Sequence, residues 1–381
     1  MVISLLLMVV SCVVIWRSSD GFEVASDYLG RRLPLGIKGA TINAIASSMP
    51  EFLTTIFFLF YLRDPEGFSG GLGVTSGSAL FNLLIIPALA VLMLFNTGTR
   101  GPVRLNKKVL MREGVVLMVS QVVFISFLFR GELQGWHGGI LVLIYVVYLA
   151  LLYAITRRRK QTDPGYTLKL PRVEKSVWMR LITLDITHLV LHRQKISRGS
   201  AWGLLAVSTM VMTFGTWLLV YATDHFGETT GIPLIFVAVV LSAAATSVPD
   251  TIISIKDSRK GNYDDAVSNA LGSNIFDIAF ALGAPILLFN LFYQDQMTLD
   301  RSVLKFTQEV WGFLLLATVV SLAIMLSGKY FTRLKAFALL GIYVVFLVFV
   351  VTQVTELHEG IGKIIGDFFS GVARWIGDLL Y

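Results

Sequence analysis

Ser47-Ser48-Met49-Pro50-Glu51, followed by Gly77-Ser78-Ala79-Leu80-Phe81-Asn82, is nearly repeated later in the chain. The second copy is Thr246-Ser247-Val248-Pro249-Asp250, followed by Gly272-Ser273-Asn274-Ile275-Phe276-Asp277. Each copy sets hydroxyls, a proline and a carboxylate inside a run long and apolar enough to cross a bilayer. A carboxylate at that depth is costly, which makes it a functional candidate. The neighbouring proline removes a helix hydrogen bond and frees carbonyls that can act as ligands. Both runs are therefore expected to break near Pro50 and Pro249.

The rest of the chain fits a membrane setting. Of 381 residues, 55% are hydrophobic and 15% charged, and the mean hydropathy is +0.72. Soluble domains carry about 25% charged residues. Apolar residues fall in blocks of about 20, the length that spans the hydrocarbon core. The blocks are continuous rather than alternating, which argues against a β-barrel. The expected fold is an all-α integral membrane protein with ten transmembrane helices. These are read at 2–16, 33–62, 71–95, 109–129, 136–156, 201–223, 231–256, 266–293, 308–327 and 334–353. Residues 2–16 lack the basic start and small-residue cleavage site of a signal peptide and are kept as a span. Cys12 is the single cysteine, so the chain holds no internal disulfide and no Cys-rich metal site.

Orientation follows from the loops. Odd-numbered loops carry 25 Lys and Arg, among them Arg31, Lys107, Arg112, Lys256 and Arg333, against 6 on the other side. The positive-inside rule then puts the odd loops in the cytoplasm and both termini outside. The net charge of +7 is spread over loops rather than a soluble domain, so no nucleic-acid partner is expected. Two further segments look amphipathic and interfacial. One is in the central loop, with Val177, Trp178, Leu181, Ile182, Leu184, Leu189 and Val190. The other is the tail, with Ile361, Ile364, Ile365, Phe368, Phe369, Val372, Trp375, Ile376, Leu379 and Leu380. Anchoring is the expected role of both. His188 and His192 are expected at the surface.

The two copies are separated by an odd number of spans. Ser48 and Ser247 are offset by 199 residues, and Ser78 and Ser273 by 195. Five intervening spans force the second copy to enter the membrane with opposite orientation. That is the inverted-repeat layout of secondary transporters, whose sites lie near the midplane. The flanks repeat too, Ala25-Ser26-Asp27-Tyr28-Leu29-Gly30 against Ala222-Thr223-Asp224-His225-Phe226-Gly227. The expected organisation is a first five-helix repeat (1–156), a cytoplasmic linker with an amphipathic segment (157–200), a second repeat (201–353) and an amphipathic tail (354–381).

The chemistry of the motifs points to a hard cation. Residues three apart share a helix face, so Ser48 and Glu51 aim together, as do Ser247 and Asp250. Asn82 and Asp277 come from the following spans. Three carboxylates, an amide and several hydroxyls are all oxygen donors, which suit Ca2+, Mg2+ or Na+. With no His or Cys in the motifs, zinc is disfavoured. Ser, Thr and Asn also knit membrane helices together, and that packing role is the expected one for Thr54, Thr55 and Ser76. It does not account for Glu51, Asp250 and Asp277, which lack an intramembrane Lys or Arg in their motifs. Lys256, Asp257, Arg259, Lys260, Asp264 and Asp265 are expected to be solvated at a cytoplasmic turn. A channel is a rival reading, but channels usually assemble filters from symmetric subunits. No nucleophile–base pair supports an enzyme.

These motifs resemble the two α-repeats of the cation/Ca2+ exchanger superfamily, which read roughly Gly-Thr-Ser-Leu-Pro-Glu and Gly-Ser-Asn-Ile-Phe-Asn or -Asp. The resemblance implies a secondary antiporter exchanging Ca2+ for Na+ or H+. It implies Glu51 and Asp250 as the main Ca2+ carboxylates. Ser47, Ser48, Thr246, Ser247, Ser78 and Ser273 would help form Na+ sites, with Asn82 and Asp277 completing the centre. The amide and acid at the last two positions are more like the Na+/Ca2+ branch than the H+-coupled branch. The sequence departs from the pattern at Asp250 (for Glu), Ala46 and Ala245 (for Gly), Ser47 (for Thr) and Ala79 (for Asn). A shorter acid leaves room for a retained water, so selectivity for Mg2+ or Mn2+ is an alternative to Ca2+. The expected partners are inorganic cations and the lipid bilayer, with no cofactor, and the expected location is the plasma membrane.

Overall fold

The computed structural model describes residues 1–31, 41–42, 44–62, 65–96, 103–129, 131–156, 176–191, 196–259, 261–293, 297–354 and 361–380. Among these residues nine helical segments are long and apolar enough to cross a membrane, and a tenth, Ala44–Phe60, is shorter. In chain order the helices are α1 (Val2–Leu29), α2 (Ala44–Phe60), α3 (Pro65–Asn96), α4 (Lys107–Leu128) and α5 (Gly135–Thr156). Two short helices follow, α6 (Val177–Ile182) and α7 (Ile186–Val190), and then α8 (Arg198–Thr230). The seventh span is built in pieces: α9 (Leu234–Val237), a π turn (Ala238–Ser242), α10 (Ala243–Thr246) and α11 (Val248–Arg259). The eighth is α12 (Tyr263–Phe276), a π turn (Asp277–Ala281) and α13 (Gly283–Tyr293). Helices α14 (Arg301–Leu326), α15 (Arg333–Val354) and α16 (Ile361–Leu380) complete the chain.

Three expectations change. The first span reaches Leu29 rather than Trp16, so Arg17 and the Ala25–Leu29 flank lie on a helix. Pro50 does not break its run, because α2 continues through it from Ala44 to Phe60. The loss of one N–H there is local, and the Pro50 carbonyl accepts the Thr54 hydroxyl at 2.6 Å. The expected break does occur beside Pro249, where Ser247 separates α10 from α11. The turn residues are also less solvated than expected. Lys256 pairs with Asp20 at 3.1 Å and Glu23 at 3.3 Å on α1, and the Asp264 carboxylate accepts the Asn106 N–H. Lys260 and His192 lie outside the described residues. His188 is half-buried and pairs with Asp185 at 2.8 Å.

Helix α3 is the hub. It packs against α2, α10, α11, α12, α14, α15 and the first π turn. One large apolar cluster, including Leu80, Phe276, Trp311 and Phe346, ties α3 to α12, α14 and α15. Helices α1 and α8 pack on each other and hold smaller clusters of their own, around Ile15 with Leu219 and around Ile186 with Leu204. In the central segment, α6 exposes Val177, Trp178 and Ile182, whereas α7 buries Ile186 against α1 and α8. The tail helix α16 docks part of its apolar stripe on the bundle and leaves part of it exposed. Phe369 and Ile376 are buried against the bundle, while Ile364, Phe368 and Trp375 remain exposed.

The inverted duplication is visible in two clasps. After α4, strand β1 (Glu132–Leu133) pairs antiparallel with β2 (Met297–Thr298), which precedes α14. At the opposite membrane face, Val103 bridges Phe331. Leu133 and Phe331 are offset by 198, and Val103 and Met297 by 194, so each clasp is the counterpart of the other.

Close approach of α3 to the broken seventh span depends on glycine. A Cβ on Gly77 would lie 2.0 Å from the Val239 carbonyl oxygen and 2.6 Å from the Ala243 Cβ. Gly77→Ala is therefore expected to lower stability by about 1–3 kcal/mol, read as a lower thermal unfolding midpoint in detergent. Gly139→Ala, where nothing lies within 4 Å, serves as the control and should not lower it.

Candidate cation site

The sequence places the key side chains by helical spacing. Asn269, Ser273 and Asp277 recur every four residues and share one face of the eighth span, as Ser78 and Asn82 do on α3. Ser247 ends one helical piece and Asp250 starts the next, so both sit where the span is broken. Asp277 opens a π turn, with the Leu282 N–H bonded to the Asp277 carbonyl at 3.1 Å. An extra residue per turn re-aims side chains, and such turns are frequent at functional sites.

All ten predicted residues are fully buried: Ser47, Ser48, Glu51, Ser78, Asn82, Thr246, Ser247, Asp250, Ser273 and Asp277. They form one network spanning both halves. The Ser78 hydroxyl lies 3.0 Å from Glu51 Oε1 and 3.2 Å from Asp277 Oδ2. Ser247 Oγ is 3.0 Å from Ser78 Oγ. Asn82 Nδ2 reaches Asp250 Oδ2 at 3.3 Å and Ser78 Oγ at 3.4 Å. Ser273 donates to Asp250 Oδ1 at 2.6 Å, and Ser47 Oγ lies 3.4 Å from Ser273 Oγ. Ser48 stands against Asp277, and Thr246 against Glu51. Glu51 and Asp250 thus meet through Ser78 and Asn82.

The network is short of donors. Glu51 Oε2, Asp277 Oδ1, Asn82 Oδ1 and Asn269 Oδ1 are buried and accept no hydrogen bond. Among the described residues, no ion pair involves Glu51, Asp250 or Asp277. Nor, among those residues, do three acidic, His or Cys side chains close around one metal-sized point. Hydroxyls and amides interleave the acids instead, so the donor set is mixed oxygen. Buried charges are normally paired or coordinate metals. A cluster of unpaired acids with unused lone pairs can bind cations, and it can do so from both repeats at once.

Thr54, Thr55 and Ser76 bond carbonyls of their own helices at 2.6, 2.8 and 2.7 Å. Asn269 also reaches the candidate site, and the sequence reading does not single it out. Its Nδ2 lies 3.3 Å from Asp250 Oδ1. Its four-residue spacing from Ser273 was the available signal. Glu113 was missed as well. It is buried on α4, with Arg112 on Oε1 at 3.0 Å and the Tyr148 hydroxyl on Oε2.

With this geometry in place, comparison with known proteins is informative. The family described as "Sodium/calcium exchanger protein" matches residues 3–154 and 200–352, one stretch in each half. The chain belongs to this family. Among exchanger relatives, human "Sodium/potassium/calcium exchanger 5" is 26% identical over 334 residues, covering 69% of this chain. The match spans 64% of that exchanger's length. The "Inner membrane protein YrbG" of Escherichia coli is 27% identical over 291 residues, covering 76% of this chain and 81% of that protein. The exchanger fold is shared with the crystal structure of the "H+/Ca2+ Exchanger CAX", at a TM-score of 0.69 and 16% identity. That match covers 98% of this chain and 87% of the other. The sodium–calcium exchanger NCX_Mj superposes at 0.57 with 18% identity, covering 91% and 97%.

Unpaired buried acids weigh against folding unless something neutralises them. Glu51→Gln and Asp277→Asn are expected to raise the unfolding midpoint in buffer holding only a bulky organic cation, by the equivalent of about 1–3 kcal/mol. A lower midpoint would assign these acids a structural role.

Proposed function

We propose that the protein is a secondary antiporter that exports a divalent cation, Ca2+, in exchange for Na+. The observation that supports this reading is the buried oxygen set contributed by both repeats, with carboxylate and amide oxygens left unbonded. Glu51 and Asp250 are the principal Ca2+ carboxylates in this proposal. Asn82, Asp277 and Asn269 complete the shell, and the hydroxyls of Ser47, Ser48, Ser78, Thr246, Ser247 and Ser273 hold Na+. Ca2+ takes about 6–8 oxygens in a flexible arrangement, which a mixed set of acids, amides, hydroxyls and water can supply.

Coupling follows from competition. One Ca2+ or several Na+ neutralise the same acids, and the empty site is the least favourable state. The site therefore changes access while loaded, which makes exchange obligatory without covalent chemistry. In this proposal residues 1–156 and 201–353 are the two repeats, 157–200 is a cytoplasmic linker, and both termini lie outside a plasma membrane. Because the human relative is named for potassium as well as sodium and calcium, K+ is tested as a co-substrate.

Protein reconstituted in vesicles loaded with Na+ should take up radiolabelled Ca2+ several-fold faster than vesicles without a Na+ gradient. Internal K+ is varied separately. Asp250→Asn should weaken Ca2+ binding by more than ~100-fold in isothermal titration, beyond the loss typical of an outer-shell change. Uptake driven by a pH gradient and indifferent to Na+ would replace this reading with H+ coupling. Preference for Mg2+ or Mn2+ in the same assay would reassign the ion.

A further inference from the structure

One further buried acid takes no part in the central network. Glu309 on α14 is the counterpart of Glu113 on α4, offset by 196 residues. Both are buried, yet their surroundings differ. Glu113 has Arg112 on one oxygen and Tyr148 on the other. Glu309 Oε1 accepts no hydrogen bond. Its nearest cation, Lys305 Nζ, is 3.6 Å away and divides itself with Asp367 of α16 at 3.4 Å. Both distances exceed those of a good N–H···O bond.

Glu309 lines a cleft of about 280 Å³ between α9, α14 and α15, with Lys305, Ser302 and Gln353. The remaining wall is apolar: Pro233, Ile235, Phe236, Val303 and Phe306. Helix α16 closes one side. A Cβ on Gly366 would lie 2.8 Å from Glu309 Oε1, so the tail backbone runs directly over the acid. The rim is at a membrane boundary, because α9 and α14 both begin there. Exposed Ile364 and Phe368 continue an apolar surface along α16.

The form of the cleft selects its occupant. Its volume equals that of about nine water molecules, too large for one ion. Its wall carries three side chains with oxygen, well short of the roughly 6–8 ligands of Ca2+. An apolar wall ending in one carboxylate and one ammonium fits an amphiphile with a zwitterionic head. We propose that the cleft holds the headgroup of a primary-amine phospholipid, its ammonium on Glu309, its phosphate on Lys305 and its chain along Phe236 and Phe306. A primary ammonium supplies the N–H donor that Glu309 Oε1 lacks. A trimethylated head has none.

The test uses the full chain, purified and stripped of lipid. Phosphatidylethanolamine should raise the thermal unfolding midpoint by about 3 °C more than phosphatidylcholine of the same chains. That difference should vanish in Glu309→Gln, whereas Lys305→Gln should reduce the stabilisation by both lipids, because both carry the phosphate. Ca2+ binding at the central site should be unchanged in both variants, a readout that also reports folding. Should either variant fail to fold, Ile235→Trp, which fills the cleft from its apolar wall, takes its place with the same expectation. Equal stabilisation of wild type by the two lipids would overturn the proposal. So would equal stabilisation by free phosphoethanolamine, or by Ca2+ or Na+ in a Glu309-dependent way. None of these outcomes bears on exchange at Glu51 and Asp250, so the two readings fail separately.

Discussion

A group of buried acids without an ion-pair partner among the described residues, at the crossing of four helix segments, is the constraint on which this structure depends. Glu51, Asp250 and Asp277 are fully buried, and no described ion pair reaches them. A folded state that keeps such groups ionised needs mobile positive charge to enter. Hydroxyls soften the requirement. Ser78 stands within reach of both Glu51 and Asp277 and its single O–H donates to one of them at a time, while Ser273 donates to Asp250. Each bond fixes a carboxylate in place while leaving other lone pairs free. The result is a set of oxygens held in position and not satisfied.

The helices around the site are arranged to hold that geometry. Continuous helix would point Ser247 and Asp250 by rotation alone. The interruption between α10 and α11 lets the two be aimed separately. Glycine at position 77 brings α3 close enough for Ser78 to bond Ser247 across the interface. The π turn at Asp277 adjusts the fourth contributor. Local departures from regular helix thus coincide with residues of the candidate site, as expected where backbone regularity is given up for a site.

Most of this was legible in the sequence, because transmembrane helices and intramembrane acids leave strong signals. The doubled motif singles out ten residues that the fold buries and brings together, and the odd number of intervening spans gives their inverted relation. What could not be read were features decided by packing between distant segments. Proline predicts the loss of one hydrogen bond, not the angle that follows, so Pro50 and Pro249 looked alike and behave differently. Asn269 sits one turn before Ser273, but polar residues in membrane helices often only pack. Its role depends on Asp250 arriving from another helix. The α16 stripe reads as interfacial, and periodicity reports an apolar face without saying how much of it the bundle covers. Phe369 turned out to meet α14.

The paired clasps carry a consequence for symmetry. Leu133 with Met297 at one face and Val103 with Phe331 at the other join unlike ends of the two repeats. Two identical five-helix units packed antiparallel about a two-fold axis would make both contacts identically. Within one chain the two contacts are under no requirement to match. One is a two-residue ladder and the other a single bridge, so the pseudo-two-fold relation holds in placement and not in detail.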